Sequence, residues 1–215
     1  MHDRTHGEAL TDQLLMLLLV SECQKLGCSM SGKVKLTKLL YLAESKMVKD
    51  GIKGLNYNFF RWDFGPMSAD LLHDFDCLSK NGLLEQTDNL ITITSKGTDV
   101  VKNTTDLLTR NTELVEYIRQ VIREFGPYKG KSIKEVVYGL PKIDEKKHIA
   151  DTEHGELLLG ALPLEQANKR FWIDDEWIET LSILIDKDTC ESLDRGIRDA
   201  KEGKIEKYVP LKTPT

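Results

Sequence analysis

The stretch from Lys35 to Leu84 reads KLTKLLYLAESKMVKDGIKGLNYNFFRWDFGPMSADLLHDFDCLSKNGLL, and its reading decides the fold. Apolar residues at Leu36, Leu39, Leu40, Ala43 and Met47 keep the three-and-four spacing of one helical face. The aromatic run from Tyr57 to Trp62 breaks that period and predicts an extended segment, ended by the turn pair Gly65-Pro66. Ser68 then caps a further helix, because its hydroxyl can accept an orphan amide proton of the first turn. Leu71, Leu72, Phe75 and Leu78 form the buried stripe of that helix, and Asn81-Gly82 stops it.

Outward from this stretch the same rules predict a helix at Glu8–Leu26, with Leu14, Leu15, Leu17, Leu18 and Leu19 covering more than one face and so marking the centre of the core. Residues 34–49 form the second helix, 56–62 a strand, 68–80 the third helix, and 83–86 with 90–94 a hairpin turning at 87–89. Helix, helix, strand, helix, hairpin is the order of a winged helix, and the fold class is mainly α with a small β-sheet. Thr94-Ser95 caps a fourth helix reaching to about Leu108. A helix over Thr112–Phe125 ends at Gly126-Pro127, and a short one covers Ser132–Gly139. The polar connection from Pro141 to about Gly155 has no clear period and receives no assignment. The expected organisation is a winged-helix-like domain over 1–162 and a C-terminal helical extension with an extended tail over 163–215.

A chain of 215 residues that is 40% hydrophobic can bury a real core. The apolar run Leu14–Val20 is too short to span a bilayer and has acids and amides on both sides, which predicts a cytoplasmic protein without a membrane segment. Cys23, Cys28, Cys77 and Cys190 lack the paired spacing of a structural zinc site and are expected to be reduced. A net charge of -5 argues against general coating of nucleic acid while leaving room for a local basic face. From Phe171 to Thr215 eleven acids stand against seven bases, so this segment holds -4 of the total.

The ordered phrases KLTKLLYLA, FFRWDFGPMSADL and NGLL resemble the Panacea domain of SocA-like antitoxins, over roughly Leu10 to Pro141. Lys38, Leu39, Leu40 and Tyr41 in the second helix, with Trp62, Gly65 and Pro66 at the strand-to-helix corner, carry the likeness. Many relatives place a valine after the Gly-Pro and a more basic or aromatic surface around it, where Met67-Ser68 stands here. The resemblance implies an antitoxin that neutralises a cognate toxin by direct contact, or in one branch delivers it to a protease; it implies neither catalysis nor a cofactor. A packing account of the same residues has Gly65-Pro66 making the turn, Trp62 and Tyr41 filling core space, and Lys38 as a solvated charge.

Winged-helix order also raises a transcriptional regulator, with the helix at 68–80 entering the major groove. Its exposed residues then include Asp70, Asp74 and Asp76 against Lys80, and carboxylates facing phosphates make a poor reader, so DNA is a possible but unfavoured partner. Lys33, Lys35, Lys38, Lys46 and Lys49 make a basic group on the second helix, read as a solvated face able to meet an acidic partner.

At the C-terminal end Asp174, Asp175 and Glu176 open a helix whose positive dipole end favours them, and Trp177, Ile178, Leu181, Leu184 and Ile185 mark its apolar face. Asp188 and Glu191 form a capping pattern for another helix in which only Leu193 and Ile197 stand out as apolar, with Gly203 placed to end it. The phrase WIETLSIL, a short linker and a helix ending in an acid-Gly pair resemble the toxin-binding part of Phd/RelB-type antitoxins. A charged, weakly apolar helix followed by an extended tail is suited to wrapping a partner, with contact expected through Glu191, Asp194, Ile197, Tyr208, Val209 and Leu211. An ordinary helical hairpin docked on its own domain is the packing alternative.

Catalytic motifs are missing: there is no GxGxxG, GxxxxGK[ST], HExxH or GxSxG. His148, Asp151 and His154 can be drawn as a metal trio, but their segment cannot be placed on one helix face, and solvated loop histidines are the expectation. No metal or cofactor is assigned.

Overall fold

The computed structural model describes residues 4–140, 148–186 and 198. In chain order these hold α1 (His6–Lys25), β1 (Met30–Ser31), α2 (Gly32–Lys49), β2 (Ile52–Lys53), β3 (Phe59–Trp62), β4 (Gly65–Met67) and α3 (Ala69–Lys80). The hairpin strands β5 (Leu84–Thr87) and β6 (Leu90–Ile93) come next, then α4 (Ser95–Asn103), α5 (Thr105–Arg110), α6 (Thr112–Phe125) and α7 (Gly130–Tyr138). β7 (Leu157–Leu159), β8 (Lys169–Arg170) and α8 (Asp175–Ile185) complete the order. The molecule is mainly helical with small sheets, as the hydrophobic periods predict.

α1 is the axis of the core. Leu14 to Val20 are at most 1% exposed, so this helix is apolar all round and is covered on every side, by α3, α4, α6, α8 and the β5–β6 hairpin. Thr5 and Glu8 close its N-terminus with a reciprocal capping box. β1, β6 and β5 form one antiparallel sheet in the order β1-β6-β5. Together with α1, α2 and α3 this sheet is the three-helix, three-strand arrangement of a winged helix, with β2, β3 and β4 inserted between α2 and α3.

The insertion corrects the reading of Gly65-Pro66. The two residues are not the turn but the start of β4, which pairs antiparallel with β3 in the register Trp62↔Gly65 and Arg61↔Pro66. The turn is Asp63-Phe64. Proline, which has no amide proton to give a ladder, is tolerated because β4 is an edge of the β4-β3-β7 sheet. β7 and β8 went unread in the sequence: β7 pairs with β3, and β8 runs parallel to β2. The fourth helix is divided at Thr104, whose hydroxyl bonds back to the carbonyls of Val100 and Val101.

Phe171, Leu181 and Ile185 lie in the same hydrophobic cluster as α1 and α2. Asp174 caps α8 by accepting the Trp177 amide at 3.0 Å, and Asn111 holds the preceding chain by exchanging two hydrogen bonds with the backbone of Trp172, at 2.6 and 2.9 Å. A polar hub ties the N-terminal segment to the core. Arg4 pairs with the buried carboxylates of Asp12 at 2.8 Å and Asp74 at 2.7 Å, and Tyr57 donates to Asp74 at 3.0 Å. Asp74 is therefore not a surface acid of α3; it is 1% exposed and structural. No helix among the described residues is long and apolar enough to cross a membrane.

Candidate functional site: a lysine-lined cleft

Two helix starts carry the same lysine spacing. Lys33, Lys35 and Lys38 in KVKLTK open α2, and Lys129, Lys131 and Lys134 in KGKSIK open α7. The fold turns both toward one open cleft of about 1030 Å³, bounded further by the β5–β6 hairpin at Gln86 and Asn89 and by Phe64 at the β3–β4 turn. All six lysines line it, and among the described residues no carboxylate does. Neither helix start has a side-chain cap: Ser31 and Lys129, at the two cap positions, make no such bond. The amides of both first turns add their partial positive charge to that of the ammonium groups.

The lysines differ in how they are held. Lys33 is paired with Asp76 at 2.7 Å. Lys35 is buried and donates to the carbonyls of Ser29 and Gly126, each at 2.6 Å, so it pins the end of α6 to the start of α2; burial pulls its pKa below that of a free lysine. Lys38 is 1% exposed and has no hydrogen-bond or ion-pair partner among the described residues. Burial first, and then the nearby Lys134 ammonium, push its pKa down to about 8. This overturns the reading of Lys38 as a solvated charge: α7 covers the flank of α2 that the periodicity of α2 alone left open. Lys129, Lys131 and Lys134 are exposed, with Lys134 5.1 Å from the Tyr138 ring centre.

Of the other residues that carry the Panacea resemblance, Leu39 and Leu40 are fully buried, and Tyr41 packs edge-on to Phe59 with ring centres 5.2 Å apart. Trp62 departs from its expected core position. It is 42% exposed and lies against the His154 ring at 4.1 Å, because the β3–β4 hairpin lifts its end off the core. Gly65, at φ +101, sits under the Tyr138 ring, which also takes the Arg61 guanidinium at 5.0 Å. The corner therefore rests on α7, and of these residues Lys38 lines the cleft, with Phe64 of the same corner beside it.

Glu191, Asp194, Ile197, Tyr208, Val209 and Leu211 lie outside the described residues. His148, Asp151 and His154 do not meet: His148 Nδ1 is 2.9 Å from the Gly139 carbonyl, and His154 Nε2 is 3.4 Å from Asp63. Among the described residues no group of three histidines, cysteines or acids could hold a metal ion. The cleft offers cations, amides and two exposed aromatic rings, Phe64 and Tyr128, a set suited to holding an anion. Sequence reading took the lysines of α2 without those of α7, although the repeated K-x-K-x-x-K spacing was there to be seen.

No protein-family model, no curated protein and no solved structure matches this chain.

Proposed function

We propose that this protein is the antitoxin of a toxin–antitoxin system and neutralises a cognate toxin in the cytoplasm by direct protein–protein contact. One observation carries the reading. Lys38, Leu39, Leu40 and Tyr41 and the Trp62-to-Pro66 corner, far apart in sequence, belong to one packed unit in which Tyr41 meets Phe59 and β3 meets β4. A likeness scattered over unrelated parts of the fold would have carried no such weight. The toxin contact is assigned to the acidic C-terminal segment, with Glu191 and Asp194 for charge and Ile197, Tyr208, Val209 and Leu211 as apolar anchors. α8 supports this placement, since it spends Leu181 and Ile185 on its own domain and so fixes the point from which the segment departs.

The test is growth. Inducing the gene encoded beside this one should be toxic alone and tolerated when this protein is co-induced, with the two proteins purifying together. Deleting residues 188–215 should abolish rescue while the thermal transition of the remainder is kept; full rescue by the truncated chain would remove the contact from this segment. If the client instead disappears only when a protease is present, the protein is a proteolytic adaptor. The winged-helix topology keeps a transcriptional regulator as a second reading. Asp70 and Asp76 face outward on α3, so that reading needs a duplex contact other than α3, and a gel-shift assay on the protein's own promoter decides it.

A further inference from the structure

We propose that the cleft between the α2 and α7 helix starts is a binding site for the phosphates of a nucleotide-bearing ligand, with Lys38 as the recessed seat of one phosphoryl group. No described residue lining the cleft belongs to the C-terminal segment assigned to the toxin, and the tests below do not use that segment, so this site and the antitoxin role stand or fall separately.

Three independent features of the site agree. The first is charge without compensation. Lys38, Lys129, Lys131 and Lys134 have no carboxylate partner among the described residues, and Lys38 and Lys134 are close enough to repel. A recessed ammonium that faces other cations across the cleft is unfavourable, and an anion above it supplies both an acceptor and the missing counter-charge. The second is direction. The uncapped first turns of an 18-residue helix and a 9-residue helix open on the same space, and free amides at a helix start are donors suited to a multi-oxygen anion. A phosphate can bridge donors arriving from two helices, and ammonium groups serve it as point charges. The third is the rim. Phe64 is 64% exposed at the hairpin turn and Tyr128 39% exposed before α7, and both line the cleft. Aromatic faces beside a lysine-lined groove are what bases stack on. A simple oxyanion would leave these rings without a role, whereas a nucleotide uses both halves of the cleft.

The same chemistry is offered by a free nucleoside polyphosphate and by a short single strand of nucleic acid. Titrating the full-length protein with inorganic pyrophosphate, with ATP and with a fluorescent decauridylate separates them. The expected result is binding that weakens as salt rises. For the strand, the log–log slope should be about -0.7 for each phosphate neutralised. Tighter binding of ATP than of the decamer assigns the site to a small ligand, and the reverse assigns it to a strand; either supports the site. Lys38→Met should weaken binding about tenfold or more, the size of one lost charge-assisted bond. Lys131→Gln with Lys134→Gln, both at exposed positions, should weaken it without touching the fold, so the test survives if the Lys38 variant does not fold. Phe64→Ala should reduce affinity for ATP or the decamer and leave pyrophosphate unchanged. Failure of all three probes to bind at low salt overturns the proposal. So does binding that is indifferent to the lysine variants, or poly-glutamate that binds as tightly as the decamer.

Discussion

Lys38 and Glu44 are both buried on α2, carry opposite formal charges and do not pair. Each Glu44 carboxyl oxygen is without a hydrogen-bond partner among the described residues, and burial raises its pKa well above the usual carboxylate range, so the folded state keeps a proton that the unfolded chain releases. Because the native state then binds more protons than the unfolded one above pH about 4.5, stability falls as pH rises through that range. Glu44→Gln should flatten this dependence, read as the urea midpoint measured between pH 5 and 8. Lys38 has the opposite sense. Between about 8 and 10.5 the unfolded chain holds a proton that the folded protein has lost, so stability rises with pH across that window. Lys38→Met should abolish this residue's contribution to the rise, read as the urea midpoint measured between pH 8 and 10. Any ligand held by the ammonium of Lys38, which is faced by Lys134 and neighboured by Lys35 in the same cleft, should in contrast be released as pH rises through about 8.

At the scale of the element, caps and clamps decide how far the C-terminal part stays docked. Asp174→Ala removes the cap of α8 and should cost about 1 kcal/mol. Asn111→Ala removes both bonds to the Trp172 backbone and should expose residues 172–186 to limited proteolysis well before the rest unfolds. The helices were legible in the sequence because each carries its own signal: Thr112–Phe125 agrees at both ends with its apolar period and its Gly-Pro stop, and Ser68, Thr94 and Asp174 cap as their side chains allow. β7 and β8 were not legible. Strands of three and two residues have no measurable period, and their partners β3 and β2 lie about a hundred positions away. The cleft was half legible for the same reason: Lys33, Lys35 and Lys38 stand out on α2, but that α7 would bury Lys38 is a tertiary fact. Gly65-Pro66 misled because the pair has the composition of a turn and the position of an edge strand.

The whole molecule is a winged-helix core wrapped by later segments, of which α4, α6 and α8 rest on α1 while α7 packs on α2, β7 on β3 and β8 on β2. Leu17→Ala, at the centre, should lower stability by roughly 2–5 kcal/mol and be felt cooperatively by all elements, so one calorimetric transition should move as a unit. The charge of the molecule is divided: lysines converge on one cleft, while the last 45 residues hold most of the negative excess. The docking of α8 on α1 has a further consequence in time. His6 Nε2 lies 2.9 Å from the Ser182 hydroxyl, a contact between residues 176 positions apart. At roughly 5–20 residues per second of synthesis, the first helix waits on the order of ten to thirty-five seconds for the last described one. During that interval a helix apolar on every side has one flank still uncovered, so the newborn chain, rather than the finished protein, is the state in which a chaperone finds its target.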